Sequence, residues 1–199
     1  MKTTAPTVCL ESLRSIFHLA VSLQWDIQHF DIKTAFLHGV LADDETTYME
    51  QPPRFEVPGK EEWVMCLMKS IYGMHQAGCH WNQTFHKAVT EWGFDCVPCD
   101  WCVYVRHTPK GTVIFAVHMD DIFSIANPPE ENVGFWDQLK SKWDISDLSP
   151  AEFTLRIRIK RDTDNLSLSQ TAFIDCVIEQ FSQADAHPAD TPMVAGLQL

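Results

Sequence analysis

Apolar positions change their spacing several times along this chain, and each change predicts a different element. Within 9–23, Leu10, Leu13, Ile16, Phe17, Leu19 and Ala20 recur at helical intervals, which predicts an amphipathic helix. Residues 25–36 read as a strand, with Trp25, Ile27, His29 and Asp31 on one face and Phe30 and Ile32 on the other. Leu37-His38-Gly39 then marks a turn. Three prolines and five acids in 43–59 predict an exposed loop, with a short strand around Tyr48-Met49. A short strand at 63–67 leads to a turn at Ile71-Tyr72-Gly73, and a helix over 77–92 is stopped by Gly93.

The second half is patterned as clearly. Residues 102–106 and 113–117 are β-branched and apolar, and Thr108-Pro109-Lys110-Gly111 between them predicts a hairpin. Asp120-Asp121 interrupts an apolar run over 113–126, which places the pair at a second tight hairpin. Asn127-Pro128-Pro129 breaks the chain before a helix at 132–143. Strict alternation over 153–161 predicts one strand, and a last helix follows at 171–181. This order of elements predicts an α+β fold, an antiparallel sheet packed on helices.

Composition adds three constraints. The chain has 199 residues, enough for one large domain or two small ones. No apolar run reaches membrane-spanning length and no secretory signal opens the sequence, so a cytoplasmic or nuclear location is the default expectation. Seven cysteines, an odd number, argue for reduced thiols rather than a disulfide framework. The net charge of −12 opposes any tight grip on a nucleic-acid backbone, because such affinity comes largely from Lys and Arg displacing counterions.

Adjacent acids at the tip of an apolar hairpin repel one another, and nearby apolar strands make ionising both costlier. A pair of divalent cations would relieve the conflict and could serve phosphoryl transfer. Asp31, in another apolar strand, supplies a third carboxylate. An Asp pair that merely closes a turn fits the same local pattern.

A longer pattern separates these readings. Phe30-Asp31-Ile32-Lys33-Thr34-Ala35-Phe36-Leu37-His38-Gly39 closely resembles the first catalytic motif of copia-type retrotransposon reverse transcriptases. Tyr48-Met49-Glu50-Gln51-Pro52-Pro53, then Lys69-Ser70-Ile71-Tyr72-Gly73-Met74-His75-Gln76-Ala77 with Trp81, resemble the blocks that follow. His118-Met119-Asp120-Asp121 stands where that family carries an aromatic-apolar-Asp-Asp motif. Asp147-Leu148-Ser149-Pro150-Ala151, Leu166-Ser167-Leu168-Ser169-Gln170 and Asp190-Thr191-Pro192-Met193 continue the match in family order.

The resemblance implies an RNA-directed DNA polymerase domain with a palm-type fold. Its palm and partial fingers would occupy 1–127, and the rest of the palm with the start of the connecting region 128–199. Asp31, Asp120 and Asp121 would be catalytic and would hold Mg²⁺ or Mn²⁺, with Ile32 joining the metal set. Phe36, Gln76, His118 and Met119 would bind the nucleotide, Phe36 excluding a 2′-hydroxyl by bulk. The implied partners are an RNA or DNA template–primer, deoxynucleoside triphosphates and the remainder of a retroelement polyprotein; no membrane is implied.

Departures from the pattern leave a second expectation open, a decayed and non-catalytic fragment that retains the fold. His118 replaces the usual Tyr, Gly78-Cys79-His80 replaces a stretch that carries a basic residue, and Arg156 stands where Gly is usual. The sequence also starts after the family's basic finger block, which predicts a truncated copy. Arg156, Arg158 and Lys160 alternate with Leu155, Ile157 and Ile159, so one strand face could meet nucleic acid or simply be solvated. Cys96, Cys99 and Cys102 have Cys-x-x-Cys spacing but no matching fourth ligand, so metal binding there is not expected.

Overall fold

The computed structural model describes residues 5–42, 45–162 and 165–187. The leading residues 1–4, the loop positions Asp43 and Asp44, and the block Asp190-Thr191-Pro192-Met193 lie outside them. The described residues divide into two compact units, one ending at Ala151 and the other starting at Glu152.

The first unit is built on a six-stranded sheet in which every pair is antiparallel. In chain order its strands are β1 (Ile27–Ile32), β4 (Asp95–Val97), β5 (Asp100–His107), β6 (Thr112–His118), β7 (Asp121–Asn127) and β8 (Ile145–Asp147). Their spatial order is β4-β5-β6-β7-β1-β8. A separate two-stranded ribbon pairs β2 (Thr47–Glu50) with β3 (Val64–Leu67). The expected α+β class is therefore found, with three helices in this unit: α1 (Leu10–Ser22), α2 (Ala77–Glu91) and α3 (Glu130–Lys142).

Helices cover both faces of the sheet, and strand alternation says which helix covers which. Phe115 on β6 stacks on Phe135 of α3 at 4.7 Å and meets Phe85 of α2 edge-on at 6.1 Å. On β7, Phe123 points the other way, because its partner on β6 is Ala116 rather than Phe115. Phe17 of α1 meets Phe123 edge-on at 5.7 Å. So α1 lies on one face, and α2 and α3 on the other.

Two predicted strands required correction. The strand expected over 25–36 is shorter: β1 ends at Ile32, and Ala35–His38 form a 3-10 turn that carries Phe36. Thr34, at φ 52°, breaks the extended run, an uncommon conformation for a β-branched residue. Lys33 N–H donates to the Asp144 carbonyl at 3.0 Å and Leu37 N–H to the Thr34 carbonyl at 2.8 Å, so the reversal is held on both sides.

The strand expected over 153–161 is two strands of the second unit, β9 (Phe153–Thr154) and β10 (Ile157–Arg161). Leu155 and Arg156 between them have φ 48° and 63°, the two positive values of a type I′ hairpin. A two-residue turn is one full period of strand alternation, so the sequence pattern runs through it in phase. Strand β10 also pairs with β11 (Leu166–Ser169), and α4 (Thr171–Gln180) packs on it.

Candidate functional site

The site begins with a register. In the β1–β7 pair Asp31 lies opposite Asp121, and in the β6–β7 pair His118 lies opposite the same Asp121. Met119-Asp120 is therefore the two-residue tip of the hairpin, as the interrupted apolar run predicts. Met119 takes φ 60°, a left-handed conformation that costs a non-glycine residue about 1–3 kcal/mol and persists only where surroundings enforce it. The two-residue tip calls for that conformation, and the Trp81 indole N–H braces it by donating to the Met119 carbonyl at 2.9 Å. From the other side, Ile32 N–H donates to the Asp120 carbonyl at 2.9 Å, tying the tip to β1.

Three carboxylates thus come from adjacent backbone positions at one end of the sheet. The Asp31 carboxyl is pushed above the usual carboxylate range, first by burial and then by the negative charges of Asp120 and Asp121. His29 and Lys33 pull it the other way, less strongly. Asp121 Oδ1 lies 2.7 Å from His29 Nε2. Among the described residues, no group of three or more His, Cys, Asp or Glu is drawn together as a ready-made metal cage.

The donor set nevertheless suits a hard cation. Mg²⁺ prefers one or two carboxylate oxygens plus waters and substrate phosphates to an all-protein cage. Three acids that repel one another across adjoining strands answer that description. Asp120 is exposed, and Asp31 and Asp121 are half-buried, so all three are open to solvent.

The four nucleotide-binding candidates separate. Phe36 and Met119 line one cavity of about 420 Å³, together with Tyr72, Gly78, Trp81 and Val117. Phe36 meets Tyr72 edge-on at 5.7 Å. This cavity lies on the α2 side of the sheet, whereas the Asp31 and Asp121 positions belong to the α1 side; the Met119-Asp120 tip is where the two sides join.

Gln76 turns elsewhere, its amide donating to Glu45 Oε1 at 2.7 Å. The other oxygen of Glu45 lies 3.0 Å from His80 Nε2, within ion-pair range. His118 is half-buried, and its Nδ1 is buried without a hydrogen-bond partner among the described residues.

In the second unit, Arg158 and Lys160 are exposed on β10, opposite buried Ile157 and Ile159. Arg156 does not share their strand: it sits in the β9–β10 turn with its guanidinium 5.4 Å from the Phe173 ring centre. The expected three-cation strand face is thus two strand cations and one turn cation.

A family model for reverse transcriptases, described as RNA-dependent DNA polymerases, matches residues 1–195. The chain belongs to this family. It is 35% identical over 198 residues to the retrovirus-related Pol polyprotein from transposon TNT 1-94 of Nicotiana tabacum, covering 98% of this chain and 15% of that protein. Against the Pol polyprotein from transposon RE1 of Arabidopsis thaliana the identity is 30%, covering 100% of this chain and 13% of that protein. A putative transposon Ty5-1 protein of Saccharomyces cerevisiae is 28% identical over 145 residues, 72% of this chain and 46% of that protein. The chain therefore spans about a seventh of the length of the two plant polyproteins. No solved structure matches it.

The copia-type resemblance read from the sequence thus agrees with the plant-transposon relatives. Among the described residues of this reverse transcriptase domain, no helix is long and apolar enough to cross a membrane. Three residues that contact the predicted site residues do not read as site residues from sequence. Trp81 reads from sequence only as part of a motif block, which does not reveal its bond to the hairpin tip. Glu45 reaches Gln76 and His80 from a distant loop, which no local pattern encodes. His29 shares a strand face with Asp31, and that spacing was its available signal.

Proposed function

We propose that this chain carries the nucleotidyl-transfer centre of an RNA-directed DNA polymerase, in a palm-type arrangement formed by its first unit. The observation that carries this reading is the pairing of Asp31 with Asp121 beside the Asp120 tip, which gathers three mutually repelling carboxylates at one sheet end. Asp31, Asp120 and Asp121 would hold Mg²⁺ or Mn²⁺, with Ile32 keeping the tip against β1 through its bond to the Asp120 carbonyl. Bound there, the cations would lower the pKa of a primer hydroxyl and neutralise charge on the phosphates.

The chain's own groups do the rest. The Trp81 indole holds the strained tip, so that Asp120 is presented in one position. Phe36 and Met119 offer apolar walls of a cavity sized for part of a nucleoside, and the bulk of Phe36 would disfavour a 2′-hydroxyl. Gln76 would contact the nucleotide only after releasing Glu45, and His118 would do so from its strand position opposite Asp121. Arg158 and Lys160 supply a small cationic surface for a primer backbone, with Arg156 at its turn. The substrates implied are a template–primer and deoxynucleoside triphosphates, and the remaining polyprotein segments would complete the machine.

Iron-mediated cleavage tests the site's location. With Fe²⁺ in place of Mg²⁺ and ascorbate present, backbone cuts should cluster at residues 31 and 120–121. Cuts elsewhere, or none, would count against the assignment. The net charge of −12 supports a second reading, a non-catalytic retroelement fragment that keeps the fold, which predicts no localised cutting.

A further inference from the structure

His29 is buried, with 5% of its surface exposed, on the strand that carries Asp31 and two positions before it. Its strand partner is Phe123, two positions after Asp121, so His29 and Asp121 are diagonal neighbours on one sheet face. The ring stacks on Phe123 at 4.3 Å with planes 22° apart, which fixes its orientation. The backbone is fixed as well: His29 N–H donates to Ser149 Oγ at 3.0 Å, and Leu148 N–H donates to the His29 carbonyl at 2.8 Å. What this rigid mount presents is Nε2, 2.7 Å from Asp121 Oδ1.

An ionised carboxylate only accepts hydrogen bonds, so Nε2 must carry the proton and donate it. Such a bond leaves Oδ2 as the free oxygen of Asp121 and fixes the carboxylate plane. We propose that His29 is a positioning residue for the cation centre: it clamps Oδ1 of Asp121 and leaves Oδ2 as the oxygen that would serve a cation held with Asp31. This rests on the metal-site reading above and deepens it. Partners that orient ligands in this way typically govern metal affinity by about 10–100-fold. A sheet-core histidine that merely fills space would be served as well by its stack on Phe123 alone.

Two substitutions separate these roles. His29→Phe keeps an aromatic ring against Phe123 and removes the donor; His29→Gln restores a donor without the ring. The probe is Mn²⁺, its free fraction followed by electron paramagnetic resonance on the full chain, with the melting temperature measured alongside. Clamping predicts that His29→Phe weakens Mn²⁺ binding at least tenfold and that His29→Gln recovers most of the loss. Unchanged affinity in His29→Phe, or an equal loss in both variants, overturns the proposal. If His29→Phe fails to fold, His29→Leu, which also lacks the donor, takes its place: a tenfold loss that His29→Gln recovers supports clamping, and unchanged affinity or an equal loss in both overturns it. Asp121→Asn is the control for the reading beneath. If wild type and Asp121→Asn bind Mn²⁺ equally, the metal site itself is wrong, a different failure from that of His29.

Discussion

Replacing Asp31 by Asn should stabilise the folded chain at neutral pH. Asp31 stands opposite Asp121 and beside Asp120, and its carboxyl is pushed upward by burial and by those two charges. Two like charges roughly 6 Å apart repel by about 0.7 kcal/mol in water and about 3 kcal/mol at an effective dielectric of 20. The site is half-exposed and screened by salt, so the lower part of that range applies, about 1 kcal/mol. In a protein of this size that corresponds to a melting temperature about 2–4 °C higher for Asp31→Asn.

The sign of the pH dependence follows from the direction of the shift. A carboxyl with a raised folded-state pKa binds more protons when folded than when unfolded, so stability falls as pH rises between the two values. The cost is fully present above the raised folded pKa and absent below the unfolded value near 3.9. The advantage of Asp31→Asn should therefore be full at pH 7 and fade as the solution is acidified. Melting curves of both proteins from pH 7 downward, at low ionic strength without divalent ions, make the measurement. A variant less stable than wild type at pH 7, or a difference independent of pH, would refute the argument from repulsion.

Three further outcomes follow from other parts of the molecule. Phe115 is fully buried and stacked between Tyr104, at 4.9 Å, and Phe135, so Phe115→Ala should cost about 3–5 kcal/mol in denaturant unfolding; a loss under about 1 kcal/mol would mean the core is elsewhere. A Cβ on Gly39 would stand 2.8 Å from the Trp81 backbone nitrogen and 3.0 Å from His80 Cβ, so Gly39→Ala should cost about 1–3 kcal/mol by forcing the Phe36 turn away from α2, measured by the same unfolding curves. With a net charge of −12, the chain alone should give no detectable primer extension on an RNA template with Mg²⁺ or Mn²⁺; robust extension abolished by Asp120→Asn would contradict this.

What the sequence revealed depended on how far apart the decisive residues lay. The Asp120-Asp121 hairpin was legible because two charges break a continuous apolar run, and the helix at α2 because Gly93 follows it. Strands β4 and β8, three residues each, carry too few positions for alternation to register. The β9–β10 turn hid because two residues preserve the phase of the pattern. The end of β1 hid because Thr34 favours extended structure yet turns left-handed just after Lys33 N–H is taken by the Asp144 carbonyl. At the site, spacing along one strand placed His29 with Asp31 but could not say that Asp121 was its partner. Gln76 reads as a pocket residue until Glu45 arrives from a loop 31 positions earlier.

The central claim, that Asp31, Asp120 and Asp121 form one divalent-cation centre, is tested most directly by counting bound Mn²⁺ with and without a deoxynucleoside triphosphate. The account predicts that wild type binds Mn²⁺ at the carboxylates and more tightly when the triphosphate supplies further oxygens. It also predicts that Asp31→Asn, Asp120→Asn and Asp121→Asn each weaken binding at least tenfold. Binding that persists unchanged in all three single variants would contradict it.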